Sequence, residues 1–283
     1  MDTALIVEDD RDQAELAAQL VRLRDFEPIL AEDGETGYKM ARELHPDVVL
    51  LDLMLPDTSG FEICRRLRSD RDTLLTPIVM LTALGEAHHR RHGFRVGANA
   101  YVSKPYGAAQ LYDAIAAARA WRAHLEREHV QGEIHVELNS ETTFLQEVND
   151  FLTSLLMSTP LANVQVMHLR QAVMEMGQNA IEWGNEHRVE ELVRIVYRIF
   201  DNRVEILIRD QGPGFDRTNL PHVAQEDDPL AHLGVREKLG LREGGFGMLI
   251  SRGMVDELRY NEPGNEVTLI KRFDAVDQSP VEK

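Results

Sequence analysis

Residues 47–53, DVVLLDL, are apolar almost without a break and contain two carboxylates that bracket the run. A strand with one wet face alternates apolar and polar side chains. A run this uniform instead specifies a strand covered on both faces, as in a parallel sheet with helices above and below. Comparable short runs occur at ALIV (4–7), PIL (28–30), PIVMLTA (77–83) and AYVSK (100–104). Between them lie amphipathic stretches expected as helices at 12–24, 36–44, 60–69 and 88–96, the first with Ala14, Leu16, Ala17, Leu20 and Leu23 inside. Alternation of this kind gives an α/β domain with a doubly wound, five-stranded parallel sheet.

The pattern changes after residue 105. One long helical stretch is expected over 106–130, with Leu111, Ala118 and Leu125 seven apart and Ala114 and Trp121 between them. It reads equally as a dimerising seam, which would make the chain a homodimer, or as a last domain helix running into a linker. IHVEL (134–138) then alternates as a half-buried strand. Ser140 is placed to cap a helix running to residue 158, Pro160 breaks it, and 164–184 is a second helix. VRIVYRIF (193–200) and VEILIRD (204–210) make a hairpin around Asp201-Asn202. A polar stretch at 211–244 precedes a helix at 247–256 and a last hairpin, ELRYN and EVTLIKRF, turning at Pro263-Gly264. Helices on one face of a mostly antiparallel sheet define a second, α+β domain. The expected division is therefore 1–122, a helical extension over 106–132, a domain at 133–274, and a disordered tail at 275–283.

Composition narrows the class. The chain has 283 residues and a formal net charge of −17. A field of that sign repels nucleic-acid backbones and argues against direct DNA binding. The single cysteine, Cys64, rules out an intramolecular disulfide framework. No apolar run approaches a membrane span, and MDTALIVEDD is acidic where a leader would be basic. These features place the expected compartment in the cytoplasm.

Asp9 and Asp10 follow the first strand, and Asp52 lies near the end of the third. Strand ends of an open parallel sheet converge on one crevice, so these carboxylates can meet. Clustered carboxylates need a shared cation, and hard oxygen ligands suit Mg²⁺. A carboxylate can also serve as a nucleophile and form an acyl phosphate. Thr82 ends the fourth strand with a hydroxyl, and Lys104 ends the fifth with a compact positive charge. VEDD, DLMLPDTSGFE, MLTA and YVSKP, in this order over residues 3–120, resemble the receiver domain of two-component response regulators. The resemblance implies a flavodoxin-like fold, Asp52 as phosphoacceptor, Asp9 and Asp10 with Asp52 as Mg²⁺ ligands, and Lys104 as phosphate contact. It further implies Thr82 and Tyr101 as a switch pair, a cis Lys104–Pro105 bond, and an upstream histidine kinase or phosphotransfer protein as phosphodonor. His88 and His92 have the i, i+4 spacing of a helical metal pair, with His89 beside the first. Arg90 and Arg91 between them make a solvated basic face the better reading.

No GxxxxGK[ST] occurs, so the second half is not a P-loop domain. Three other elements stand in order. EMGQNAIEWGN (175–185) puts Glu175 and Asn179 on one helical face, a base and a Mg²⁺ ligand. DQGPGF (210–215) follows a strand, with Asp210 able to accept from the exocyclic amine of adenine, and with Gly212 and Gly214 permitting close backbone approach. GGFG (244–247), with Gly245 and Gly247, opens a helix whose N–H groups favour phosphate. Over 133–273 this set, with the ending ELRYNEPGNEVTLIKRF, resembles the GHKL ATPases and, among them, the anti-sigma-factor serine kinases. The resemblance implies a Bergerat-type fold, Mg-ATP bound between the Asn179 helix and a lid at 211–244, Thr268 near adenine, and Glu175 as general base. Trp183 departs from it, standing where that branch has a basic residue or His.

The reading that follows is a response regulator controlling a serine/threonine kinase. Its partners would be an anti-sigma antagonist of the STAS type, a sigma factor, or both. Two alternatives remain: a module that sequesters its partner when ATP is bound, and a histidine-kinase-like ATPase using His124 or His129. The second lacks any segment resembling a dimerisation and phosphotransfer domain.

Overall fold

In the computed structural model of the chain, residues 1–83, 94–215 and 247–273 are described. Two compact units are present, Met1–Glu137 with Arg198–Asp201, and Leu138–Tyr197 with Asn202–Lys283.

The first unit holds β1 (Asp2–Val7), α1 (Arg11–Arg22), β2 (Phe26–Ala31), α2 (Gly34–Leu44), β3 (Val48–Asp52) and α3 (Gly60–Ser69). It continues with β4 (Ile78–Thr82), β5 (Phe94–Val96), β6 (Ala100–Ser103) and α4 (Ala108–Arg127). Its five-stranded sheet has the order β2-β1-β3-β4-β6, and every pairing is parallel. All five residues of β3 and of β4 are buried. This is the doubly wound architecture the apolar runs specify, with one core on each side of the sheet.

Three expectations change. In α1 the buried residues are Ala14, Ala17, Ala18 and Val21, whereas Leu16 is 49% and Leu23 75% exposed. The i, i+3, i+4, i+7 stripe decides which side faces the sheet, and it is made of small side chains that allow close packing. The stretch expected as a helix at 88–96 ends in a strand, because Phe94–Val96 joins a sheet next to the strand described below. The remainder of that helix, with His88, His89 and His92, lies outside the described residues. In α4, Leu111, Ala114 and Ala118 belong to the core packed on the parallel sheet, so the upper part of the heptad serves this fold rather than a seam.

The strand β7 (Val130–Asn139) begins in the first unit and ends in the second. Within the first unit Gly97 N donates to His135 O at 2.7 Å. Glu133, 3% exposed, accepts from Trp121 Nε1 at 2.8 Å and Arg198 Nε at 2.5 Å, and lies 2.6 Å from His135 Nε2. Burial alone would raise its pKa. The bonds from His135, Arg198 and Trp121 outweigh that and bring it down to about 2. Arg68, buried, stacks 5.2 Å from the Trp121 ring and donates to Thr76 O and Asn99 Oδ1 at 2.8 Å each.

The second unit holds α5 (Thr142–Leu156), α6 (Asn163–Asn179), a wide turn of π-helix (Ala180–Gly184), β8 (Leu192–Phe200), β9 (Arg203–Arg209), α7 (Gly247–Met254), β10 (Glu257–Tyr260) and β11 (Glu266–Arg272). Its strands run β10-β11-β9-β8, with β10–β11 and β11–β9 antiparallel. Ser140 is not the cap of α5, whose N-cap is Glu141; its hydroxyl donates instead to Glu191 O at 2.8 Å. The expected tail at 275–283 lies outside the described residues.

Candidate functional site

At the carboxyl end of the parallel sheet, β1 delivers Glu8 and Asp9, and β3 delivers Asp52. Carboxylate oxygens of these three lie within 4.8 Å of one another. Asp10, expected among them, turns away. Its Oδ1 accepts from Asp12 N and Gln13 N at 3.0 Å each as the N-cap of α1, and the Gln13 bond leads in holding its pKa low. Glu8 takes its place in the acidic set, because Glu8 N still donates to Ala31 O and so continues the strand into the crevice.

Lys104 reaches this cluster from the end of β6, with Nζ 2.5 Å from Glu8 Oε2 and 3.1 Å from Asp52 Oδ2. Burial raises the Glu8 pKa, and the Asp52 charge adds to that against the pull of the Lys104 ammonium. Tyr106 is pushed up to about 12 by its burial and by Glu8 and Asp52. One lysine therefore faces three carboxylates, an arrangement of hard oxygen donors suited to a small divalent cation.

Thr82 is 2% exposed at the end of β4, and its carbonyl accepts from Lys104 N at 2.6 Å. Tyr101 is 44% exposed, and its hydroxyl accepts from Ala98 N at 3.3 Å. The Lys104–Pro105 bond is cis.

In the second unit the turn after β9 is packed against the π-helical turn. A Cβ on Gly184 would stand 2.2 Å from Asp210 Cγ, and one on Gly212 would stand 2.2 Å from Gly184 O. Asp210 Oδ1 accepts from Gly212 N at 2.8 Å, leaving Oδ2 for another donor, and burial raises its pKa. Gly214 has φ +80°, and a Cβ there would meet Pro263 O at 1.8 Å. Gly214→Ala should therefore cost about 1–3 kcal/mol from strain and clash together, seen as a lower thermal midpoint of the intact chain. An unchanged midpoint would contradict this packing.

Glu175 and Asn179 lie on α6, and Glu175 Oε1 accepts from Gln171 Nε2 at 2.9 Å. Glu175 Oε2 is against the start of α7, since a Cβ on Gly247 would come within 2.6 Å of it. Gly245 falls outside the described residues. Thr268 is not on the side of Asp210. It pairs with Leu207, while Val267 pairs with the buried Ile208, and strand pleating puts neighbours on opposite faces. The residue of β11's leading end that shares the Asp210 side is Asn265. Its carbonyl accepts from Asp210 N at 3.1 Å, and its Nδ2 donates to Gly212 O at 3.1 Å. Counting the pleat back from Val267 and Leu269 would have found it.

Residues 4–116 match the family model of the response regulator receiver domain, and residues 138–271 match that of the histidine kinase-like ATPase domain. The chain joins a receiver domain to a histidine kinase-like ATPase domain. Among curated proteins it is 38% identical over 111 residues to the DNA-binding dual master transcriptional regulator RpaA of Synechocystis, covering 39% of this chain and 46% of that protein. It is 39% identical over 109 residues to the phosphate regulon transcriptional regulatory protein PhoB of Pseudomonas aeruginosa, covering 38% and 48%. The chain thus spans about half the length of the curated relatives it matches. Similar solved structures include a response regulator of Chloroflexus aurantiacus, 30% identical, with a TM-score of 0.39 and coverage of 42% of this chain and 98% of that one. Another is the receiver domain of the sensor histidine kinase PA1611 of Pseudomonas aeruginosa with magnesium in its active-site cleft. It is 24% identical, with a TM-score of 0.38, covering 43% and 98%. Among the described residues no helix is long and apolar enough to cross a membrane.

Proposed function

We propose that the chain is a cytoplasmic response regulator in which phosphorylation of Asp52, supplied by a histidine kinase or phosphotransfer protein, controls a serine/threonine protein kinase of the anti-sigma-factor type. The observation that carries the first half is the convergence of Glu8, Asp9 and Asp52 on one another, with Lys104 paired to Glu8 and Asp52. Asp52 is the nucleophile, and Lys104 balances the charge gathered on the acceptor oxygens. Glu8, Asp9 and Asp52 would hold Mg²⁺, which supplies positive charge to the incoming phosphoryl group when bound. Thr82 and Tyr101 would report the phosphorylated state.

In the ATPase domain, Asp210 Oδ2 receives the adenine amine, Asn179 serves the Mg-ATP phosphates, and Gly245 and Gly247 give them backbone N–H groups. Glu175, facing the first residue of α7, takes the proton from a substrate hydroxyl as it attacks the γ-phosphorus and ADP leaves. The substrate is a serine or threonine of a STAS-type antagonist. The test is transfer of label from Mg-[γ-³²P]ATP to candidate antagonists by the intact chain, lost in Glu175→Ala; absence of any Glu175-dependent label sinks the kinase reading.

A sequestering module is the second reading, favoured by Trp183. This indole is 48% exposed on the π-helical turn, and the anti-sigma kinases have a basic residue or His there. Capture of a sigma factor that needs ATP but tolerates Glu175→Ala would select it.

A further inference from the structure

The Asp210 turn is held by a residue that takes no part in the readings above. Asn185 ends the π-helical turn and is fully buried. All of its polar atoms are engaged. Its amide N donates to Ala180 O at 2.8 Å, and its carbonyl accepts from Arg188 N at 2.9 Å. Its Oδ1 accepts from Gln211 N at 2.7 Å, and its Nδ2 donates to Ser140 Oγ at 2.9 Å. The Ser140 proton is already given to Glu191 O, so Ser140 Oγ can only accept. That fixes which end of the Asn185 amide faces which partner, and it aims Oδ1 at Gln211.

Gln211 lies between Asp210 and Gly212. Its own Oε1 accepts from Leu192 N at 2.7 Å, and Asn265 closes the other side of the turn through Gly212 O. The Asp210 carboxylate is wedged against Gly184, one residue before Asn185. A shift at Asn185 thus moves both the backbone that carries Asp210 and the wall it rests on.

We propose that Asn185, oriented by Ser140, is a positioning residue that sets the adenine specificity of the ATPase domain. This rests on the reading of the domain as an ATP site with Asp210 as the acceptor of the adenine amine. A carboxylate held in place accepts from the amine of adenine and repels the carbonyl that guanine has at the same position. A carboxylate free to move discriminates less, while the phosphate contacts stay as they were.

Titration calorimetry of the intact chain with Mg-ATP and Mg-GTP tests this. The wild type should prefer ATP. Asn185→Ala should weaken ATP about tenfold and GTP much less, so that the preference collapses. Ser140→Ala should move the preference in the same direction by a smaller factor, and it serves where Asn185→Ala fails to fold. A role in stability alone lowers the melting temperature without changing the ratio of the two affinities. An unchanged ratio in a folded variant overturns the proposal. A wild type that binds ATP without preferring it over GTP overturns it too, and one that binds neither overturns the nucleotide reading beneath it.

Discussion

Asp52→Asn should bring phosphoryl incorporation from a small acyl phosphate to background, while the chain keeps its fold. Three carboxylates share the pocket, and their surroundings separate their roles. A nucleophile must be ionised, must offer a free oxygen, and must lie where the incoming charge is balanced. Glu8 is 3% exposed and its Oε2 is held by Lys104 Nζ at 2.5 Å, the shorter of the two pairs that lysine makes, so it neutralises Lys104 rather than meeting an incoming group. Asp9 is exposed and is the only one of the three without an ion pair to Lys104 at the distances found. Asp52 is 6% exposed and meets Lys104 through Oδ2 at 3.1 Å, with its other oxygen outside that pair. In the proposed reaction that oxygen would form a bond to phosphorus as the bond to the donor's acyl oxygen breaks, with the donor leaving as a carboxylate. The amide that replaces the carboxylate in Asp52→Asn is too weak a nucleophile for this step. Glu8→Gln and Asp9→Asn should behave differently, retaining label at saturating Mg²⁺ but needing more of it. Intact-mass measurement after incubation with acetyl phosphate reads all three variants. Phosphorylation of Asp52→Asn at the wild-type rate, or equal loss in all three, removes Asp52 from the role.

The removal of a negative charge should also stabilise the folded state when no divalent cation is present, because the pocket holds more like charge than Lys104 balances. The melting temperature of Asp52→Asn without Mg²⁺ should lie above that of the wild type, and added Mg²⁺ should narrow the gap. A lower melting temperature for the variant under both conditions would contradict this.

The parallel sheet is legible because a strand buried on both faces leaves a signal in its own residues. β3 and β4 read directly as apolar runs. Harder to read are positions where one residue must be weighed against its neighbour. Leu16 and Leu23 look like core on size, but the stripe through Ala14, Ala17, Ala18 and Val21 sets the facing side. Asp10 looks like a ligand beside Asp9, yet an Asp immediately before an amphipathic helix is the signature of an N-cap, and the sequence carries that signal. Residue type puts Thr268 near adenine, whereas strand parity puts it on the far face. Ser140 has the local pattern of a cap, and its hydroxyl instead meets Glu191 and Asn185, 51 and 45 residues away. No local pattern encodes a bond of that span. The ATPase constellation is legible as far as Asp210 and its glycines, because close backbone approach admits few residue types there.

Glu133 is the residue that local sequence gives least reason to notice, and its loss should be the costliest change outside the sites. It looks like one more acidic residue before an alternating strand. In the fold it is buried and gathers Trp121 of α4, His135 of β7 and Arg198 of β8. Glu133→Ala strands a part-buried indole N–H and leaves Arg198 without its carboxylate. Removing one partner of a buried pair costs about 3–5 kcal/mol. Arg198 is 36% exposed and can turn to water, which favours the lower end. The same network makes stability depend on pH in a definite direction. The folded carboxyl titrates at about 2 against a reference of 4.5, so its contribution is complete above the reference value and is lost as pH falls toward the folded one. At 1.36 kcal/mol per unit the full effect is about 3 kcal/mol. Glu133→Gln keeps the shape and one acceptor oxygen but cannot titrate, so its stability should fall less steeply with acid than that of the wild type. The chain has two tryptophans, and Trp183→Phe leaves Trp121, which bonds Glu133 directly, as the reporter of this network. Urea unfolding followed by its fluorescence between pH 2 and pH 6 should show the two proteins converging in acid. Parallel curves across that range would mean that the Glu133 carboxylate is not what holds α4, β7 and the end of β8 together.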